Sequence, residues 1–124
     1  MDMRNLKKYL LDEVTSHDVL KEISAEVELF RTSRLKKGAS CAISGTHEDF
    51  RFIFNNSHVR KLCRAYLEGQ FNAWELEYLC NLIELSEAFL MENDDVEDAV
   101  FLLSSPDVNG EINRKVVQDI LGRL

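Results

Sequence analysis

Asn72-Ala73-Trp74-Glu75-Leu76-Glu77-Tyr78-Leu79-Cys80-Asn81-Leu82-Ile83-Glu84-Leu85-Ser86-Glu87-Ala88-Phe89-Leu90-Met91 is the stretch that decides the fold class. Asn72 with Glu75 three residues on is a capping pair that opens a helix. At helical spacing Leu76, Leu79, Ile83 and Leu90 share one stripe. Tyr78, Leu82, Leu85 and Phe89 widen the apolar arc, leaving a wedge of Glu77, Asn81, Glu84 and Ala88. A helix over 73–91 with so broad an apolar surface needs cover on most sides. Glu87 falls on the stripe between Leu76 and Leu90, which fits an exposed helix end there or, as the alternative, a specific cation partner. The chain therefore reads as a mainly α domain organised around this helix.

Working outward, five more helical segments follow from periodicity and caps. Met3, Leu6, Leu10 and Val14 mark the first. Thr15 with Asp18 caps a second, about 17–31, with Val19, Leu20, Ile23, Val27 and Phe30 inward. Ser57 is a candidate cap for a third carrying Val59, Leu62, Cys63, Tyr66 and Leu67, and Gly69 ends it. Asp94 or Asp95 caps a helix striped by Val96, Ala99, Val100 and Leu103, which Pro106 and Asp107-Val108-Asn109-Gly110 end. Asn113 caps the last, with Val116, Val117, Ile120 and Leu121 inward. Between them, Phe50, Phe52 and Phe54 alternate with Arg51 and Ile53, which is strand periodicity. With the preceding Ala39–Ser44 stretch and a glycine-containing link, they predict a short β-hairpin around residues 39–54. The 124 residues are expected to form one domain, 1–124, a bundle of about six helices.

Charge is the second informative feature. From Ala65 to Asn113 there is no lysine or arginine, yet there are twelve carboxylates. Residues 1–67 carry 12 basic and 9 acidic side chains, whereas residues 68–124 carry 3 and 13. Such a field attracts positive partners and repels nucleic acid and anionic membranes. No stretch approaches the roughly 20 apolar residues of a membrane span, and the N-terminus lacks a secretory pattern, so a cytoplasmic location is expected.

The residues offer little to catalysis. Cys41, Cys63 and Cys80 are an odd, widely spaced set; Cys63 and Cys80 read as buried small hydrophobes. His17, His47 and His58 make no metal-ligand spacing. Asp107-Val108-Asn109-Gly110-Glu111 misplaces the glycine of a calcium loop. No phosphate-binding glycine loop or nucleophile elbow is present, so neither enzyme activity nor a cofactor is expected. The remaining class is a binding protein for a basic protein partner. Its expected contacts are the Glu77, Asn81, Glu84 ridge and the cluster Glu92, Asp94, Asp95, Glu97, Asp98. Trp74 is a further candidate anchor, although tryptophan at such a position is more often core. The alternative is a helical structural or regulatory adaptor that self-associates through an apolar patch such as Tyr78, Leu85 and Phe89.

The stretch from His58 to Leu124 also carries Tyr66-Leu67-Glu68-Gly69, Trp74-Glu75-Leu76-Glu77, Asn81-Leu82-Ile83-Glu84 and Ser105-Pro106-Asp107-Val108-Asn109-Gly110. In these elements it resembles small acidic bacterial immunity proteins of contact-dependent growth inhibition (toxin–immunity) systems. The resemblance covers about the last half of the chain. It implies a protein that binds and neutralises a toxin domain, often a nuclease, delivered by a neighbouring cell. It assigns no individual toxin-contacting residue.

Overall fold

The computed structural model describes residues 1–35 and 43–124. Among them the order is α1 (Met3–Leu10), α2 (Ser16–Leu35), β1 (Phe52–Phe54), α3 (Asn56–Leu67), α4 (Ala73–Leu85), β2 (Phe89–Met91), α5 (Asp94–Ser104), α6 (Pro106–Asn109) and α7 (Arg114–Arg123). The fold is mainly α, as the periodicity indicates. The described helices number seven, because the Pro106 turn closes a short helix of its own.

Helix α4 is the centre. Leu76, Tyr78, Leu79, Cys80, Leu82 and Ile83 are all buried. It packs against α5, α2 and α3. The Asn72–Glu75 capping box forms, with Asn72 Oδ1 accepting from the Glu75 amide at 2.9 Å. The helix ends at Leu85, however, not at residue 91. Ser86 takes an extended conformation and its hydroxyl accepts from the Ala88 amide at 3.1 Å. That local turn competes with helix continuation. Phe89–Met91 then runs as a strand, and Glu87 is exposed in the turn and not on a helix.

The strand expected at Phe50–Phe54 exists as β1, but not as half of a hairpin. It pairs in parallel with β2, Phe52 opposite Phe89, Ile53 opposite Leu90 and Phe54 opposite Met91. The Phe52 amide donates to Ala88 O and the Glu92 amide to Phe54 O, extending the ladder at both ends. A parallel pair needs a long crossover, here α3 and α4. Phe52 and Phe54 point inward onto Phe89, with ring centroids 5.4 and 6.3 Å away. Of the proposed first arm, residues 39–42 lie outside the described residues, as does Cys41. Thr46 instead bridges to Asp2 at the start of α1.

Two other boundaries move. α1 stops at Leu10, and Asp12 turns the chain with φ +62°, so Val14 lies beyond the helix. α3 starts two residues earlier than a Ser57 cap allows. Its cap is Asn55, whose Oδ1 accepts from the His58 amide at 3.2 Å. His58 Nδ1 accepts from the Asn55 amide at 3.0 Å, completing a capping box with histidine in the usual Glu position. At the other end Gly69 has φ +80°; its amide donates to Tyr66 O and that of Gln70 to Ala65 O, a Schellman closure. Replacing Asn55 with Ala is therefore expected to cost about 1 kcal/mol, while Ser57→Ala changes stability by under about 0.5 kcal/mol. Urea melts of the two variants check this; the reverse ranking refutes the Asn55 cap.

Candidate protein-binding interface

The structure divides the expected contact residues into two groups. The first, Glu77, Asn81 and Glu84, lies on one side of α4 as the spacing requires. Glu84 is exposed on this side, but Glu77 and Asn81 face the seam with α2 and α5. Glu77 is only 4% exposed. Its Oε2 accepts from Arg34 NH1 at 2.9 Å, across 43 residues of sequence. Arg34 also donates to Asp107 and lies over the Phe30 ring at 5.6 Å. Asn81 is half-buried and its amide nitrogen donates to Glu77 O and Ser104 O, both at 3.0 Å. Glu84 accepts from the Ser104 hydroxyl. Glu77 and Asn81 are thus spent on joining helices, and the expectation that they form an exposed contact ridge is corrected. The cause is depth along α4: Glu77 is buried and Asn81 half-buried, so each takes an internal partner, whereas Glu84, near the end of the helix, is exposed.

The second group is free. Glu92, Asp94, Asp95, Glu97 and Asp98 are all exposed, and among the described residues none of them makes an ion pair. The cap of α5 is Asn93 instead of Asp94 or Asp95, its Oδ1 accepting from the Val96 amide at 2.9 Å. Asp94, Asp95 and Glu97 occupy the first turn, where the positive end of the helix dipole favours them. Glu92 and Asp98 lie outside that turn. Asp94, Asp98 and Phe101 stand at i, i+4 and i+7, which places them on one side of the helix. Phe101 is 45% exposed. An open groove of about 240 Å³ runs between Glu84, Met91, Glu97, Asp98, Val100 and Phe101. Carboxylates therefore rim an apolar floor. That combination suits the stem and head of a long basic side chain.

The sequence did not single out Phe101 or Met91. One signal was present: Phe101 lies off the Val96, Ala99, Val100, Leu103 stripe. Arg34 stands in sequence beside Lys36 and Lys37, which lie outside the described residues. Nothing local connects it to Glu77. Trp74 is half-buried against Phe30, with ring centroids 6.0 Å apart. Cys63 and Cys80 are buried free thiols. Tyr78 and Phe89 are buried, so of the expected self-association patch only Leu85 is exposed. Outward Ile53 and Leu90, cross-strand neighbours, add apolar surface nearby in the sheet. Among the described residues no group of three or more histidine, cysteine or acidic side chains is placed to hold a metal ion.

Burial pushes the Glu77 carboxyl from 4.5 up to about 7, against the pull of Arg34 and with some repulsion from Asp107. Its folded value lies above its unfolded one, so ionisation opposes folding. The contribution is fully present below about pH 4.5 and is lost as the pH rises to about 7, amounting to about 3 kcal/mol. Glu77→Gln is expected to flatten this part of the stability profile. Chemical denaturation of both proteins from pH 4 to 8 tests it, and parallel profiles through that window refute it.

No protein-family model, curated protein or solved structure matches this chain.

Proposed function

We propose that this chain is a non-catalytic binding protein that captures a basic protein partner through Glu92, Asp94, Asp95, Glu97 and Asp98. In its most specific form it is a cytoplasmic immunity protein that neutralises a basic toxin domain, such as a nuclease. The observation that carries the reading is the exposed carboxylate cluster, none of whose members makes an ion pair among the described residues, set beside the exposed Phe101. Opposed charge across an interface speeds encounter and selects among partners. An aromatic anchor in a groove supplies the desolvated contact that charge alone does not. The resemblance of residues 58–124 to immunity proteins supports the same class. No described helix is long and apolar enough to cross a membrane, and the acidic field disfavours nucleic acid.

A second reading, self-association as an adaptor, is favoured by Ile53 and Leu90, 51% and 41% exposed on the outer side of the sheet. The two readings separate experimentally. The chain is used as bait in lysate of its own cell at low and moderate salt. One basic protein should be recovered, and purified, it should bind with an association rate that falls as salt rises. Glu92→Lys/Asp98→Lys should weaken it at least about tenfold, since both residues lie outside the α5 first turn and their reversal spares the helix dipole. Glu13→Lys, on the other half of the chain, should leave binding unchanged. Recovery of the bait alone, with sedimentation showing a dimer lost on Ile53→Asp, would transfer the weight to self-association.

A further inference from the structure

A second constellation lies beyond the opposite end of α5 from the acidic cluster. A cavity of about 300 Å³ opens between the end of α2, the start of α4 and the α6–α7 link. Arg34, Glu77, Asp107 and Glu111 supply its charge, and Trp74 and Ile112 are among its apolar walls. Three carboxylates thus line the cavity with one guanidinium. Arg34 divides its terminal nitrogens between Glu77 and Asp107, and among the described residues Glu111 makes no ion pair. The lining is left with excess negative charge around a carboxylate that is 4% exposed. Apolar walls with a few convergent charged groups are the general form of a small-molecule site.

We propose that this cavity binds a small organic cation, an alkylammonium or alkylguanidinium group, with its head among Asp107, Glu111 and Glu77 and its stem against Trp74 and Ile112. Carboxylates favour such a head through charge-assisted hydrogen bonds. An indole ring attracts a cation and packs against its methylenes. Anions are repelled by the surplus carboxylate charge, and a neutral solute gains no Coulomb attraction. The charged groups facing the site are Arg34 from α2, Glu77 from α4, Asp107 from α6 and Glu111 from the α6–α7 link. Of these, Glu77 has its carboxyl pushed up to about 7. A bound cation favours ionised Glu77, which releases its proton to solvent, so binding strengthens as the pH rises through that value. The site is independent of the acidic cluster on α5.

Trp74 is the one tryptophan of the chain, so its emission reports on the cavity directly. The full chain is titrated with agmatine, which carries both cationic groups, and with butylurea as a neutral counterpart; calorimetry covers the case of silent fluorescence. Saturable binding of agmatine and none of butylurea is expected. Affinity should be about tenfold higher at pH 8 than at pH 6, following the ionised fraction of Glu77. Glu77→Gln should remove that pH dependence. Asp107→Asn/Glu111→Gln changes two exposed side chains and should weaken binding at least about tenfold with an intact fold by circular dichroism. Glu92→Lys/Asp98→Lys should leave it unchanged. Absence of saturable binding by both methods, equal binding of butylurea, or full binding by the Asp107/Glu111 double variant overturns the proposal.

Discussion

The ion pair between Glu77 and Arg34 is the constraint around which the helices are arranged. A carboxylate on the most deeply buried helix is costly unless a cation follows it inward. Arg34 is placed to do so only if the C-terminal turn of α2 lies beside the N-terminal half of α4. Its second bond, to Asp107, draws α6 to the same point. Asn81 and Glu84 then continue the seam by engaging Ser104 at the end of α5. Four helices are thereby held in register by polar contacts that an all-apolar interface would leave free to slide. Removing one member of such a buried pair is generally worse than replacing both with apolar groups, so Arg34 and Glu77 are best regarded as one unit.

This seam also sorts the acidic half of the chain. Glu77, Glu84 and Asp107 are taken up by internal contacts, as is Glu75 in its capping box. Glu92 and the four acids at the start of α5, Asp94, Asp95, Glu97 and Asp98, are not. The distinction matters because carboxylate density alone is a poor guide to a binding surface. Taken as sequence, the 77–84 ridge and the 92–98 cluster look equivalent. Burial makes Glu77 and Asn81 elements of the fold, whereas the 92–98 acids, and Glu84 with them, stay exposed.

Much of the fold was legible because it is written in local signals. Helical stripes and the caps at Thr15, Asn72 and Asn113 depend on residues within a turn or two of one another, and each forms as its spacing indicates. What was not legible depends on distant partners. β1 was recognisable as a strand from its alternating phenylalanines, but its mate, 37 residues away, was hidden inside an apparent helical stripe because Leu90 falls in phase with Leu76 and Ile83. The Ser86 turn that ends α4 has no strong breaker residue. The histidine in the Asn55 capping box replaces the glutamate that marks such boxes. Glu77 looked exposed for the same reason: a helical projection reports which residues share a side, not how many neighbours cover that side.

The free acids of α5 have a structural explanation only in part. Asp94, Asp95 and Glu97 complement the helix dipole, and a helix start with three carboxylates needs no partner to account for it. Glu92 and Asp98 gain little from that dipole. Stability alone would be better served by cations four residues from these acids, where opposite charges support a helix and like charges weaken it. Yet α5 contains no lysine or arginine, and position i+3 from Asp98 holds an exposed phenylalanine. Concentrated like charge weakens the fold by self-repulsion. Arg123 of α7 is the cation that lines a pocket with Asp95 and Asp98, and it makes no ion pair with either among the described residues. An acidic surplus beside an exposed aromatic ring is thus left to attract a counter-charge from another molecule.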